Sequence, residues 1–245
     1  MRPALVVIAS LALLAFAGIL VLAGLREWRL WTVVRRLAPV TPDQLADRAR
    51  TGRVRRELVA VVGVAGVARR EPLRSTVNEQ PCVWHHHTVH RRRVRRRADG
   101  RTRTSWRRRR VADVSTDDPV VLTGSAARVE VLPTGIPVDR PMRTATRVLP
   151  ALVSQPFPEA AELMGGDRYV HREWIIPGGT PLYVLAEATA TGSAVTLRRP
   201  AVGPRVISTR TAAGLRRRQL LTAISAFALA LVVVVAAVVV LVVLL

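Results

Sequence analysis

Leu220–Leu245 reads LLTAISAFALALVVVVAAVVVLVVLL, 26 residues in a row without a charge. A helix rises ~1.5 Å per residue, so this block reaches ~39 Å against a hydrocarbon core of ~30 Å. It has no polar face, which a core helix of a soluble protein would show. The same pattern stands at the other end. Ala4–Leu25 is 22 residues without a charge, ~33 Å as a helix. Arg2 ahead of it makes a cleaved secretory leader the alternative. The run exceeds the usual ~7–15 apolar residues, however, and only Ala23-Gly24-Leu25-Arg26 follows where a small-residue cleavage site belongs. Two apolar blocks thus bracket one polar middle, residues 26–219.

That middle is strongly basic. The chain carries 38 Lys and Arg against 17 Asp and Glu, a net charge of +21, and every one of the 38 is arginine. A GC-rich coding sequence would replace lysine in this way, but it would not cluster the arginines. Arginine forks onto phosphate or carboxylate, and a basic domain beside a bilayer faces anionic headgroups. Arg26, Arg29, Arg35 and Arg36 follow the first block, and Arg210, Arg216, Arg217 and Arg218 precede the second. The positive-inside rule then puts the middle in the cytoplasm and both termini outside, in the plasma membrane as an integral protein. Trp28 and Trp31 suit the interfacial belt. The single cysteine, Cys82, forms no intrachain disulfide and fits a reducing compartment.

Within the middle, Thr41-Pro42-Asp43-Gln44 is a capping box that starts a short helix ending near Gly52, beside the membrane. Glu57–Val67 is valine-rich and reads as a strand buried on both faces, with Gly63 and Gly66 marking a bulge or close packing. Pro81–Arg97 and Arg101–Val114 form a hairpin around Asp99-Gly100. Twelve of the 20 residues from Arg91 to Arg110 are arginine. On paired strands they point to both faces, so this ribbon is not core. Val120–Leu122 and Arg128–Leu132 are short strands. Prolines 133, 137 and 141 mark loop, and Pro158–Met164 a short helix. Tyr169–Ile176, Leu182–Ala188 and Ala194–Arg198 are three closely spaced strands with glycine turns, and Val206-Ile207 adds another. From about Thr211 the chain is helical. Such short strands indicate a barrel or sandwich.

The run Pro81-Cys82-Val83-Trp84-His85-His86-His87-Thr88-Val89-His90 contains the candidate metal ligands Cys82, His85, His87 and His90, since thiolate and imidazole suit zinc. His85 and His87 share one face of a strand, and Cys82, His86 and His90 the other. No ligand spacing recurs elsewhere, and simple exposure is the plainer reading. Cys82 lacks a base and orienting group to act as a nucleophile, and a small buried hydrophobe is its expected role. No G-x-S-x-G, H-E-x-x-H or Walker loop occurs. No catalytic residue, bound metal or cofactor is therefore expected. The binding candidates are Arg91, Arg92, Arg93, Arg95, Arg96, Arg97, Arg107, Arg108, Arg109 and Arg110. Nucleic acid is a poor partner, because Trp84 and Trp106 alone lie near for stacking.

Several residues carry a resemblance. They are Pro72-Leu73-Arg74-Ser75, Pro81-Cys82-Val83-Trp84, Asp118-Pro119-Val120 leading to Val129-Glu130-Val131, Arg168-Tyr169 with Glu173, Gly178, Leu182-Tyr183-Val184 and Ser208, all set between two spans. This layout, over about residues 25–245, resembles the GIDE or BAM (beside-a-membrane) domain of membrane-anchored ubiquitin ligases in mitochondria and chloroplasts and of bacterial relatives. The resemblance implies a membrane protein with two transmembrane α-helices (4–25 and 220–245), a juxtamembrane segment with a short helix (26–55) and a mainly β, barrel- or sandwich-like GIDE-type domain (56–210). It implies a docking or substrate-sensing role. The organellar relatives continue into a RING, whose two zincs need about eight ligands; one cysteine does not supply them. The expected role is a non-catalytic adaptor with an unknown protein partner and an arginine ribbon for anionic lipid or an acidic partner. The alternative is a ligase-like protein served by a RING in trans.

Overall fold

The computed structural model describes residues 2–68, 71–96, 102–150, 168–192 and 194–244. The chain divides into two compact units, one of residues 1–39, 200–205 and 210–245, the other of residues 40–199 and 206–209.

The first unit is built on two helices, α1 (Arg2–Arg36) and α3 (Ala212–Leu244), packed together. Both are long and apolar enough to cross a membrane. Their seam follows a seven-residue repeat of small side chains. Ser10, Ala17 and Gly24 are buried on α1, and Ala223, Ala230 and Ala237 on α3. Small residues let helix backbones approach where lipid would supply no hydrophobic drive. At Gly24 a Cβ would stand 2.8 Å from Phe227 Cε1. Large side chains such as Leu22, Leu231 and Val242 are exposed. The helix does not stop at Leu25 but runs on through residues 26–36. Nothing between Arg26 and Arg36 breaks a helix, and the next proline after Pro3 is Pro39. On this last stretch Trp28 and Trp31 lie 4.8 Å apart, and the Arg35 guanidinium sits 5.2 Å over Trp31.

The second unit begins with α2 (Pro42–Arg50). Thr41 caps it, and the capping box is complete: Gln44 N–H donates to Thr41 Oγ1 and Thr41 N–H to Gln44 Oε1. The helix ends at Thr51, with Gly52 at φ +66 just beyond. The strands follow in chain order: β1 (Glu57–Val67), β2 (Leu73–Arg74), β3 (Pro81–Cys82), β4 (Trp84–Arg96), β5 (Thr102–Ser115), β6 (Val120–Thr123), β7 (Arg128–Val131), β8 (Val138–Asp139), β9 (Met142–Pro150), β10 (Arg168–Ile176), β11 (Pro181–Thr191), β12 (Ala194–Arg198) and β13 (Val206–Ser208).

Five of these close a barrel in the order β1-β6-β7-β12-β11 and back to β1. Neighbours are antiparallel except β7 and β12, which run parallel. This is a Greek-key barrel of the kind seen in OB-folds, an architecture that hosts unrelated functions. β1 pairs with β11 over Glu57–Val64 and with β6 over Val64–Val67, so it passes from one partner to the other near Gly63. A Cβ on Gly63 would meet Pro42 Cγ at 3.1 Å and Thr123 O at 3.2 Å. Only the first half of β1 is buried on both faces, at Val59, Ala60 and Val61; Val62 and Val64 are exposed. The doubly buried strand is β11, where Leu182–Ala188 are all buried. Leu45 of α2 is fully buried in the barrel core with Val61, Leu122, Val129, Val184 and Leu197.

β13 pairs antiparallel with β11, and β8 runs parallel to β13 on its far side. The remaining long strands form a second sheet, β5-β4-β10-β9. β4 and β5 pair as the expected hairpin, although its Asp99-Gly100 turn lies outside the described residues, as does the helix expected at Pro158–Met164. Two placements go beyond the sequence reading, and one expectation needs correction. Tyr169–Ile176 does not join the two strands after it but pairs with β4 and β9. β9 occupies residues directly after the proline-marked loop. Cys82 is not on the histidine strand: the chain bends at Val83, and β3 pairs with β2 in a separate ladder.

Asp43, in the first turn of α2, ties that helix to the β6–β7 turn. Its carboxylate accepts from the N–H groups of Ser125 (2.8 Å), Ala126 (2.8 Å) and Ala127 (2.6 Å) and from Ser125 Oγ (2.9 Å). These bonds, led by Ala126 N–H, hold its pKa down at about 2. Gly124 passes so close that a Cβ there would collide with the same carboxylate. Asp43→Ala and Gly124→Ala should each lower the unfolding midpoint. Both break one contact, so the double variant should fall little below the worse single variant in thermal melts. Fully additive losses would contradict this.

Candidate functional site on the four-stranded sheet

All five histidines of the chain lie on this sheet, four on β4 and His171 on β10. Period-two alternation divides them between its faces. His85 and His87 point to one face, opposite Ile175 and Glu173. His171, opposite Val89, shares that face. His86 and His90 point to the other.

The His87 face is a buried polar row. His87, His171 and Glu173 are 2%, 4% and 0% exposed. His87 Nε2 and His171 Nδ1 lie 3.1 Å apart and share one proton, with the rings stacked at 5.3 Å. The turn between β2 and β3 packs onto this row. Val77 N–H donates to Glu173 Oε1 (2.9 Å), Thr144 Oγ1 donates to Glu173 Oε2 (3.3 Å), and Asn78 Nδ2 donates to the Thr144 carbonyl (3.1 Å). His85 Nδ1 lies 2.8 Å from Thr116 Oγ1. Burial pushes the His87 pKa down to about 4, aided by His171 across from it, and burial also lowers His171 and His85. All three rings are therefore neutral at neutral pH. Cys82 is buried, and desolvation followed by the Glu173 charge pushes its thiol up to about 11. It stays protonated and is no nucleophile.

The four metal candidates do not converge. His85 and His87 share one face, His90 lies on the other, and Cys82 is on β3. Among the described residues no three His, Cys, Asp or Glu side chains are grouped to hold a metal ion.

On the other face His86 Nε2 meets Asp113 Oδ1 at 2.5 Å, and Arg110 pairs with the second oxygen of Asp113. The hydrogen bond to His86 is the main cause of a lowered Asp113 pKa. His86 stacks on Trp174 at 5.4 Å. Of the binding candidates, Arg109 and Arg110 are exposed on β5, and Arg91 is half-buried on β4. Arg92, Arg93, Arg95 and Arg96 lie on β4, and Arg107 and Arg108 on β5; Arg97 lies outside the described residues. Cross-strand pairs bring Arg91 opposite Arg109 and Arg92 opposite Arg108. The sequence gives no local sign of the His87–His171 contact, which joins residues 84 apart, or of the Asp43 anchor.

A closed barrel with an inserted, arginine-rich sheet, in a chain that also carries a packed pair of long apolar helices, defines a class of protein. The GIDE family model, described as an E3 ubiquitin ligase, matches residues 88–243, and the chain belongs to the GIDE family. The matched stretch runs from the middle of β4 into α3. No curated protein and no solved structure gives a significant match.

The buried histidines carry a pH signature. Between pH 6.5 and about 4 the unfolded chain binds protons that folded His87 refuses, so stability falls as pH drops through this window. The loss should approach roughly 2–3 kcal/mol by pH 4.5. Denaturant unfolding of the full chain in detergent at pH 7 and 4.5 measures it. A His87→Asn variant should lose most of the dependence, and an equally steep profile in that variant would refute the assignment.

Proposed function

We propose that this GIDE-family chain is a non-catalytic docking module anchored in a membrane by α1 and α3, with its arginine hairpin laid on anionic headgroups. The observation that carries the reading is the hairpin itself. β4 and β5 pair arginine against arginine, and such a cationic ladder repels itself unless an anionic surface meets it. Each basic residue near an anionic bilayer contributes ~1 kcal/mol, so half the ribbon would suffice for stable contact. The seven-residue seam of small side chains and the apolar outer surface of both helices support a hairpin of spans. The arginines flanking both helices support a cytoplasmic domain with outward termini.

The family's ligase chemistry is a separate matter. With one cysteine and five histidines, this sequence does not hold the ligands of a two-zinc RING. Ligase activity would then need zinc ligands from outside this stretch, with this domain presenting the substrate.

Two experiments test the reading. Full-length protein in neutral nanodiscs should co-sediment with phosphatidylglycerol vesicles, and binding should fall steeply between low and high salt. Replacing Arg107, Arg108, Arg109 and Arg110 by glutamine should weaken it at least tenfold. Binding indifferent to salt and to lipid charge would remove the headgroup part. For orientation, a reporter active only outside the cytoplasm should work when fused after Leu245 and fail near Gly100. The reverse pattern would overturn the assigned topology.

A further inference from the structure

The His86 face holds a row that the docking reading does not use. Asp113, Thr88, Arg172 and Thr146 are successive cross-strand partners on β5, β4, β10 and β9. Thr88 is the short side chain at its centre and is 6% exposed. His86 and His90 rise on either side of it along β4, and Arg172 stands beside it with Cβ atoms ~4.5–5.5 Å apart. Thr88 Oγ1 and Arg172 Nε are both buried, and neither has a hydrogen-bond partner among the described residues. Each has a proton to donate. Buried donors of this kind are normally satisfied, and two neighbouring exceptions call for one acceptor.

The surrounding charges say what that acceptor is. Arg110 and Arg143 border the row together with Arg172. The one carboxylate, Asp113, is taken up by His86 and Arg110. Arg143 is turned to Thr146. Among the described residues of this row and its border, cations therefore outnumber the single anion, and that anion is already neutralised. Arginine meets tetrahedral oxyanions with fixed geometry, and a charge-assisted bond from its Nε is stronger than a neutral one. The stacked His86–Trp174 rings occupy the next row along the sheet.

We propose that Thr88 Oγ1 and Arg172 Nε together bind one phosphate group on this face of the sheet. The group belongs either to a lipid headgroup or to a soluble phosphate. The inference does not rest on the hairpin reading, because its two donors lie outside the set of arginines assigned to headgroup contact.

The test uses the full chain in maltoside micelles, which contain no phosphate, with the indole N–H of Trp174 as the NMR reporter, assigned through Trp174→Phe. Inorganic phosphate should shift that resonance saturably. Thr88→Val, nearly isosteric, and Arg172→Lys, which keeps the charge but loses Nε, should each weaken binding at least tenfold while the remaining spectrum stays folded. Short-chain phosphatidic acid added first separates the sources. If it occupies the site and blocks the phosphate response, the ligand is a headgroup; if phosphate still binds unchanged, the ligand is a soluble phosphate. No saturable shift with either probe, or equal affinity in both variants, would overturn the proposal.

Discussion

The second unit depends on one strand serving two partners. β1 leaves β11 and takes up β6 at Val64, and this transfer closes the barrel. Closure removes the open edges that five short strands would otherwise present. At the point of transfer stands Gly63, where Pro42 and the Thr123 carbonyl crowd the place of a Cβ at 3.1 and 3.2 Å. The same Pro42 opens α2, whose Leu45 fills the core and whose Asp43 gathers the β6–β7 turn. Closure, helix docking and turn geometry are therefore one coupled packing problem, solved within a few residues of Gly63 and Asp43.

On this barrel sits a sheet with two chemical characters. Its His87 face is buried, carries uncharged imidazoles and is bonded to the β2–β3 turn through Glu173. Its other face begins against the barrel core at Trp84 and Ile176 and becomes guanidinium-rich farther along β4 and β10. Strand alternation produces both from one continuous histidine and arginine run. A low-dielectric row that keeps three imidazoles neutral thus backs a face that carries arginine. Cys82 is held protonated, while His87 bonds to His171, His85 to Thr116 and His86 to Asp113.

Much of the barrel was legible because local chemistry and global fold agree. The capping box at Thr41–Gln44, the valine run of β1, and the glycine turns that bound β11 and β12 each mark their element with a residue or two. What was not legible is long-range choice of partner. β10 reads as one of three closely spaced strands, and nothing within its nine residues records that it pairs with β4 and β9. β9, at an edge, reads Arg-Thr-Ala-Thr-Arg over residues 143–147, so no apolar period announces it. The histidine run pointed to the right strand, but the fold of its neighbours decided the roles: His87 finds His171 across β10, His86 finds Asp113 across β5, and the bend at Val83 removes Cys82 from both.

The two long helices were the plainest feature of the sequence, and the structure adds why they pair. Alanine, serine and glycine recur every seventh residue along one stripe of each, and valine and leucine cover the rest. In water such a pair would expose a large apolar surface, and in lipid that surface needs no partner. Single spin labels along α3, in a Cys82→Ala background reconstituted in bilayers, measure this directly through collision with oxygen and with a water-soluble nickel complex. The account predicts oxygen-rich, nickel-poor signals at Leu231, Val235 and Val242, with protection from both reagents at Ala230 and Ala237. Nickel access along the middle of α3 would contradict a span and, with it, the reading of this chain as a membrane-held GIDE domain.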